Sequence, residues 1–369
     1  MKVGIIGLPN VGKSSLFNTL TGLNILEANY PFATIQPNIA MIEVPDERLE
    51  YIANFFKSQK IIKTQIQFVD IAGLVPGASK GEGLGNQFLN HIRNVDILCH
   101  VVKCFENNKI IHIHEKIDPV LESQMVETEL ILSDLEQIEQ RLTKINNSKK
   151  KTQQETKLEI QILQKIKQNL SQNISANELN LTKEEFQIIK NFNLLTLKPM
   201  IYIGNFPENK NNCWDENIFF KQMNKYSLQT NRKFIPICII EAKKNYSPSE
   251  LNNNITNKEN NEQKFFSSKY ALEQIIKNSY QLLNLQTYFT AGPKETRSWS
   301  FFKGSTAPQC AKSIHTDIQK GFIRAEIVNY NVIIKYSNIN QIKEKGKLRS
   351  EGKNYIVQDG DIINFKFRV

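Results

Sequence analysis

The sequence predicts an α/β fold, a largely parallel sheet with helices on both faces, interrupted by a helical hairpin and followed by a small α+β domain. Three observations lead there. Strand-like runs, "KVGIIG", "TQIQFVDIAG", "VDILCHVVKCF", "PMIYIGN" and "KFIPICI", alternate with helical patterns in the first and third quarters of the 369 residues. Between about 126 and 196 the apolar spacing becomes helical throughout. The tail after 284 has strand and turn punctuation of its own ("GFIRAEIV", "NYIVQDGDIINFKF"). Two or three domains with real cores fit this length.

Directly behind the first strand stands "GLPNVGKSS", residues 7–15. The spacing Gly7 to Gly12-Lys13-Ser14 fits a phosphate-binding loop. Its glycines let successive N–H groups converge on one anion, Lys13 adds a point charge, and the Ser14 hydroxyl offers a ligand for Mg²⁺. The next residues, "SLFNTL", read as a helix whose N-terminus faces the same phosphates. The pattern predicts binding of a nucleoside triphosphate, with Lys13 exposed in the loop and serving only the anion.

The strand "FVDIAG" ends in Asp70-x-x-Gly73, where a carboxylate holds Mg²⁺ through water and the Gly73 N–H senses the terminal phosphate. Thr34, in a loop with prolines on both sides, is the candidate to complete the Mg²⁺ shell. Thr64 competes but starts a strand. Leu74 occupies the place of the glutamine that orients the attacking water in Ras-like enzymes, so a polar residue from elsewhere is needed. His112 and His114 are the nearest by order, and a histidine near neutrality can orient water. Five of the chain's 16 glycines fall between Gly73 and Gly85, the composition of a loop that orders on a terminal phosphate.

Two amphipathic stripes make the hairpin: Ile131, Leu135, Ile138, Leu142 and Ile145, then Leu158, Ile162, Ile166 and Leu170 after the polar "NNSKKKTQQ". The strand pattern resumes at Met200, so the hairpin reads as an insertion. The Asn-rich stretch 247–264 reads as a surface loop.

Guanine-specific proteins carry N-K-x-D or T-K-x-D after a later strand, its aspartate accepting from guanine N1–H and the amino group. Neither pattern is present. After "PMIYIG" stands Asn205-Phe206-Pro207-Glu208, which keeps the asparagine, lacks the lysine and ends in a longer carboxylate. This argues against GTP.

Net charge is +10, and residues 284–369 hold 14 Lys and Arg against 7 Asp and Glu. A basic module of this kind suits a polyanion such as RNA, although a basic, Asn-, Lys- and Ile-rich proteome also contributes. Five scattered cysteines argue for a reducing compartment. Cys99 and Cys104, near His100, lie five apart on one strand and face opposite ways, which disfavours a shared metal. The chain opens on a strand and contains no apolar stretch of membrane-spanning length, so a soluble cytoplasmic protein without a leader is expected.

Taken together, "GLPNVGKSS", "NYPFATIQPN", "DIAGLVPGASKGEGLGNQFL", "HVVKCFEN", the N-x-x-E tetrad, "LLNLQTYFTAGPKETRSW" and "TAPQCAKSIHTDIQKGFIRAE" resemble the Obg-like ATPase family (YchF proteins) over nearly the whole chain. The resemblance implies a P-loop G-domain (1–125 and 197–283), an inserted helical hairpin (126–196) and a C-terminal β-grasp TGS domain (284–369). It implies an ATPase that associates with ribosomes, through ribosomal RNA and proteins. Asn10, Val11, Gly12, Lys13, Ser14 and Ser15 would cradle the phosphates, and Ser14 with Thr34 would bind Mg²⁺. The catalytic histidine falls on His112, and Asn10 is the natural K⁺ ligand where members depend on K⁺. Three departures stand out: Pro76 for a usual lysine, Pro207 inside the tetrad, and Ile239-Ile240 for small residues near the expected base pocket.

Overall fold

The computed structural model describes residues 1–22, 38–71, 84–106, 117–147, 154–208, 214–244 and 268–368. The chain forms two compact units, Met1–Ile42 with Gln67–Ile275, and Glu43–Ile66 with Ile276–Val369.

The first unit is built on β1 (Lys2–Ile6), β2 (Asn38–Glu43), β4 (Gln65–Asp70), β5 (Ile97–Lys103), β6 (Met200–Asn205) and β7 (Lys233–Ile237), in the order β2-β4-β1-β5-β6-β7; β3 (Lys60–Ile62) belongs to the second unit. From β4 through β1, β5 and β6 to β7 the strands pair in parallel. All seven residues of β5 are buried, as a central strand covered on both faces requires. Its helices are α1 (Lys13–Gly22), α3 (Leu84–Arg93), α4 (Pro119–Asn146), α5 (Gln154–Leu170), α6 (Lys183–Ile189), α7 (Ile218–Gln229) and α8 (Ile239–Lys244). In the second unit lies α2 (Glu47–Phe56), and α9 (Ser268–Leu282) runs across the boundary between the two segments of chain.

Helices α4 and α5 form the hairpin. Ile131, Ile138 and Ile145 recur every seven residues and bury against Ile162, Leu163, Ile166 and Leu170. The first helix begins at Pro119, upstream of the expected 126. The Asp118 carboxylate caps it, accepting from the N–H groups of Val120 and Leu121. The base of the hairpin is polar. Buried Asp134 accepts from the N–H groups of Leu195 (2.9 Å) and Thr196 (2.8 Å) and from the Thr196 hydroxyl, while Arg93 at the end of α3 donates to Ser133 Oγ at 2.9 Å.

The second unit is a mixed sheet of β3, β8 (Leu285–Ala291), β9 (Glu295–Phe302), β10 (Phe322–Asn329), β11 (Arg349–Glu351) and β12 (Asp361–Phe367), ordered β11-β10-β12-β8-β9-β3. Parallel β8 and β12 are each flanked by an antiparallel neighbour, which is the β-grasp arrangement. Residues 43–66, assigned by sequence to the first domain, pack here instead. Strand β3 pairs parallel with β9, from Lys60 with Glu295 to Ile62 with Arg297. Leu49 and Ile52 of α2 are buried with Phe289, Val328 and Ile362. A three-residue edge strand has no periodic pattern to reveal its partner, and that partner lies far along the chain.

Candidate functional site

The loop after β1 is held open by backbone conformations that its glycines permit. Gly7 has φ +145°, and a Cβ there would lie 2.4 Å from the Val101 carbonyl oxygen. Gly12 has φ +104°, and a Cβ there would lie 2.7 Å from Asn205 Nδ2 and 3.3 Å from Ile239 Cδ1. Asn10 takes a left-handed φ of +62°, which asparagine tolerates better than most residues. Val11 is buried, while Ser14 and Ser15 are exposed in the first turn of α1.

Lys13 departs from the expectation of an exposed loop residue. It is the first residue of α1, is only 7% exposed, and its Nζ donates to the Leu8 carbonyl at 2.7 Å. Burial lowers its pKa to about 8, partly offset by the Asp70 carboxylate. The ammonium thus reaches back across the loop to the Leu8 carbonyl. Asp70 ends β4 and pairs in register with Ile5 of β1, which brings it to the same end of the sheet as the loop. Its Oδ1 is buried without a hydrogen-bond partner among the described residues. An orphaned hard oxygen at the same end of the sheet as the exposed Ser14 hydroxyl offers a donor type that fits hydrated Mg²⁺.

The Asn205–Glu208 tetrad begins at the end of β6. Asn205 is buried and its Nδ2 donates to the Val11 carbonyl at 3.1 Å. Phe206 turns into the fold, where its ring stacks on Trp214 at 5.1 Å and meets Phe220 and Phe234 at 6.2 and 6.4 Å. Glu208 is exposed and its Oε1 accepts from Lys244 Nζ at 2.5 Å. Ile239 is buried near Gly12, whereas Ile240 is exposed. The sequence reading missed both the aromatic anchor and the Lys244 partner. An aromatic in the tetrad's second place, with Trp214, Phe220 and Phe234 following, was the available signal for the first.

Thr34, Gly73, Leu74, Pro76, His112 and His114 lie outside the described residues. Of the other histidines and cysteines considered, His100 is buried on β5 with its pKa depressed to about 3, chiefly by burial, so it stays neutral. Cys99 and Cys104 are both buried, and burial pushes the Cys104 thiol well above its ordinary range.

A phosphate loop behind β1, with an aspartate at the end of the adjacent parallel strand, makes this a P-loop protein of the GTPase-like nucleotide-hydrolase class. Residues 2–140 match the MMR_HSR1 family, "50S ribosome-binding GTPase", and residues 285–368 match YchF-GTPase_C, "Protein of unknown function (DUF933)". The chain is 43% identical over 373 residues to the "Ribosome-binding ATPase YchF" of Haemophilus influenzae, covering all of this chain and 99% of that one. It is 41% identical to the protein of the same name from Bacillus subtilis, with both chains covered in full. Among solved structures, the Schizosaccharomyces pombe YchF GTPase matches with a TM-score of 0.84 at 35% identity, over 99% of this chain and 97% of that one. The chain belongs to the YchF family.

Proposed function

We propose that this protein is an ATP-hydrolysing molecular switch that associates with the ribosome in the cytoplasm. The observation that carries the choice of base is the tetrad. Asn205 keeps its hold on the phosphate loop, while Phe206 is anchored in the interior and Glu208 is already paired with a lysine. Guanine would bury its N1–H and amino donors with no free carboxylate to receive them. The relatives named ribosome-binding ATPases support the same reading.

In this reading Asn10 to Ser15 surround the phosphates, with Lys13 leaving the Leu8 carbonyl for the outer ones. Ser14 and Thr34 would hold Mg²⁺ directly and Asp70 through water. When bound, the ion neutralises charge on the phosphate oxygens. The Asn10 side-chain amide is of the ligand type that suits K⁺. Gly73 would donate its N–H to the terminal phosphate, and His112 would orient the attacking water in place of the glutamine that Leu74 replaces. Slow turnover in isolation follows, because the sequence offers neither glutamine nor arginine finger at the expected places. The helical hairpin and the basic C-terminal module are the proposed ribosome contacts. Among the described residues no helix is long and apolar enough to cross a membrane.

A GTPase is the second reading, favoured by the description of the Schizosaccharomyces pombe protein. Titrating ATP and GTP with Mg²⁺ under identical salt separates the two. ATP bound at least tenfold more tightly, with hydrolysis accelerated by added ribosomes, is the expected result. Equal or tighter GTP binding overturns the ATPase reading. An unstimulated rate leaves an ATP-gated binding module.

A further inference from the structure

Glu208 stands where guanine-binding proteins carry the aspartate that accepts from two guanine donors at once. Reading both donors takes both carboxylate oxygens. One of them is occupied. Lys244 Nζ lies 2.5 Å from Glu208 Oε1, and this bond is the leading cause that raises the lysine's pKa.

Each partner is placed by buried structure on its own side. The Phe206 N–H donates to the Ile237 carbonyl at 2.8 Å, and the Phe206 ring stacks on Trp214, which aims the two residues that follow. Pro207 restricts the backbone between them. Opposite, α8 is seated by buried Ile239 and Ala242, with the Ala242 N–H donating to the Cys238 carbonyl at 3.0 Å. The pair therefore rises from the C-terminal ends of adjacent parallel strands β6 and β7, the edge of such a sheet where ligands bind.

We infer that Lys244 is a specificity-determining residue, which disfavours guanine by occupying and neutralising the carboxylate of Glu208. Both side chains are exposed, 64% for Lys244 and 50% for Glu208, and an ion pair in open water is weak. A purine seated over it excludes water and lowers the local dielectric, so the attraction strengthens when specificity is decided. Guanine must then displace an ammonium or leave donors unpaired. Adenine presents an acceptor at N1 and requires no carboxylate there. The inference rests on the ATP reading above and supplies a residue for it.

The test is a set of ATP and GTP titrations on the full chain with Mg²⁺, comparing wild type, Lys244→Met, Glu208→Gln and the double variant. Lys244→Met is expected to raise the GTP-to-ATP affinity ratio at least threefold over wild type. In the Glu208→Gln background the same substitution is expected to leave the ratio unchanged, because no carboxylate is released. An unchanged or lowered ratio in Lys244→Met overturns the inference, as does an equal rise in the Glu208→Gln background. A wild type that prefers GTP defeats the ATP reading instead; the role of Lys244 is judged only on the change its replacement causes.

Discussion

The side-chain amide of Asn205 donates to the backbone carbonyl of Val11 at 3.1 Å, joining the end of β6 to the crest of the phosphate loop. Gly12 follows at φ +104°, so close that any Cβ would strike the same amide. The asparagine of the tetrad thus supports the loop.

Asn205→Ala is expected to lower stability by about 1–3 kcal/mol, the cost of leaving a buried acceptor unpaired. Triphosphate affinity should fall with it. Urea denaturation and nucleotide titration check the two effects, and a variant unchanged in both would remove the support role.

Binding should depend on pH through Lys13. Its pKa in the free protein is about 8, lowered by burial from the ordinary lysine value, and a bound polyanion raises it. Below pH 8 the ammonium is already present, so affinity is full. Above pH 8 the free protein has lost that proton and binding must take one up, so affinity falls by up to about tenfold per pH unit. Calorimetry at pH 8.5 in two buffers of different ionisation enthalpy reads the uptake directly. Binding without proton uptake would show that Lys13 does not meet the anion. Lys13→Ala should abolish triphosphate retention, and it will also leave the Leu8 carbonyl without its donor.

Rebuilding a guanine-reading tetrad by Phe206→Lys should damage the fold before it changes the base. Phe206 is almost fully buried among Trp214, Phe220 and Phe234. Losing that ring costs about 3–5 kcal/mol, and burying an ammonium adds to the cost. Thermal melting of Phe206→Lys beside Phe206→Leu measures this. A lysine variant as stable as the leucine one would show that the loop swings outward freely. Glu208→Asp is the cleaner test of base choice, since that side chain is exposed.

For hydrolysis the expectation falls on His112. His112→Ala should slow turnover at least tenfold, roughly 1.4 kcal/mol of transition-state stabilisation, with ATP affinity little changed. His114→Ala serves as the control. Similar rates for the two variants would refute the assignment.

Much of the site was legible because its chemistry is local. A phosphate loop needs glycines at fixed offsets, and the strand-ending aspartate and the tetrad asparagine sit next to buried runs that mark them. Side-chain direction was not legible. Lys13 looks exposed in sequence, yet it folds back on Leu8, since its direction depends on which acceptor lies within reach. Phe206 stands in a lysine's place but belongs to an aromatic cluster assembled from three further segments.

By itself the sequence determined the parallel sheet, the phosphate loop behind β1, the paired stripes of the hairpin and a separate basic α+β module. Each is written in spacings of a few residues, where periodicity and turn chemistry act. Tertiary structure alone decided that residues 43–66 join the C-terminal module, with β3 pairing to β9 and Leu49 and Ile52 packing in its core. It also decided that Lys244 meets Glu208. Both depend on partners distant along the chain, and a short edge strand or a single exposed charge has no local pattern that names its partner. Burial and pairing across the folded chain select among many equivalent possibilities, and that selection happens only when the core closes.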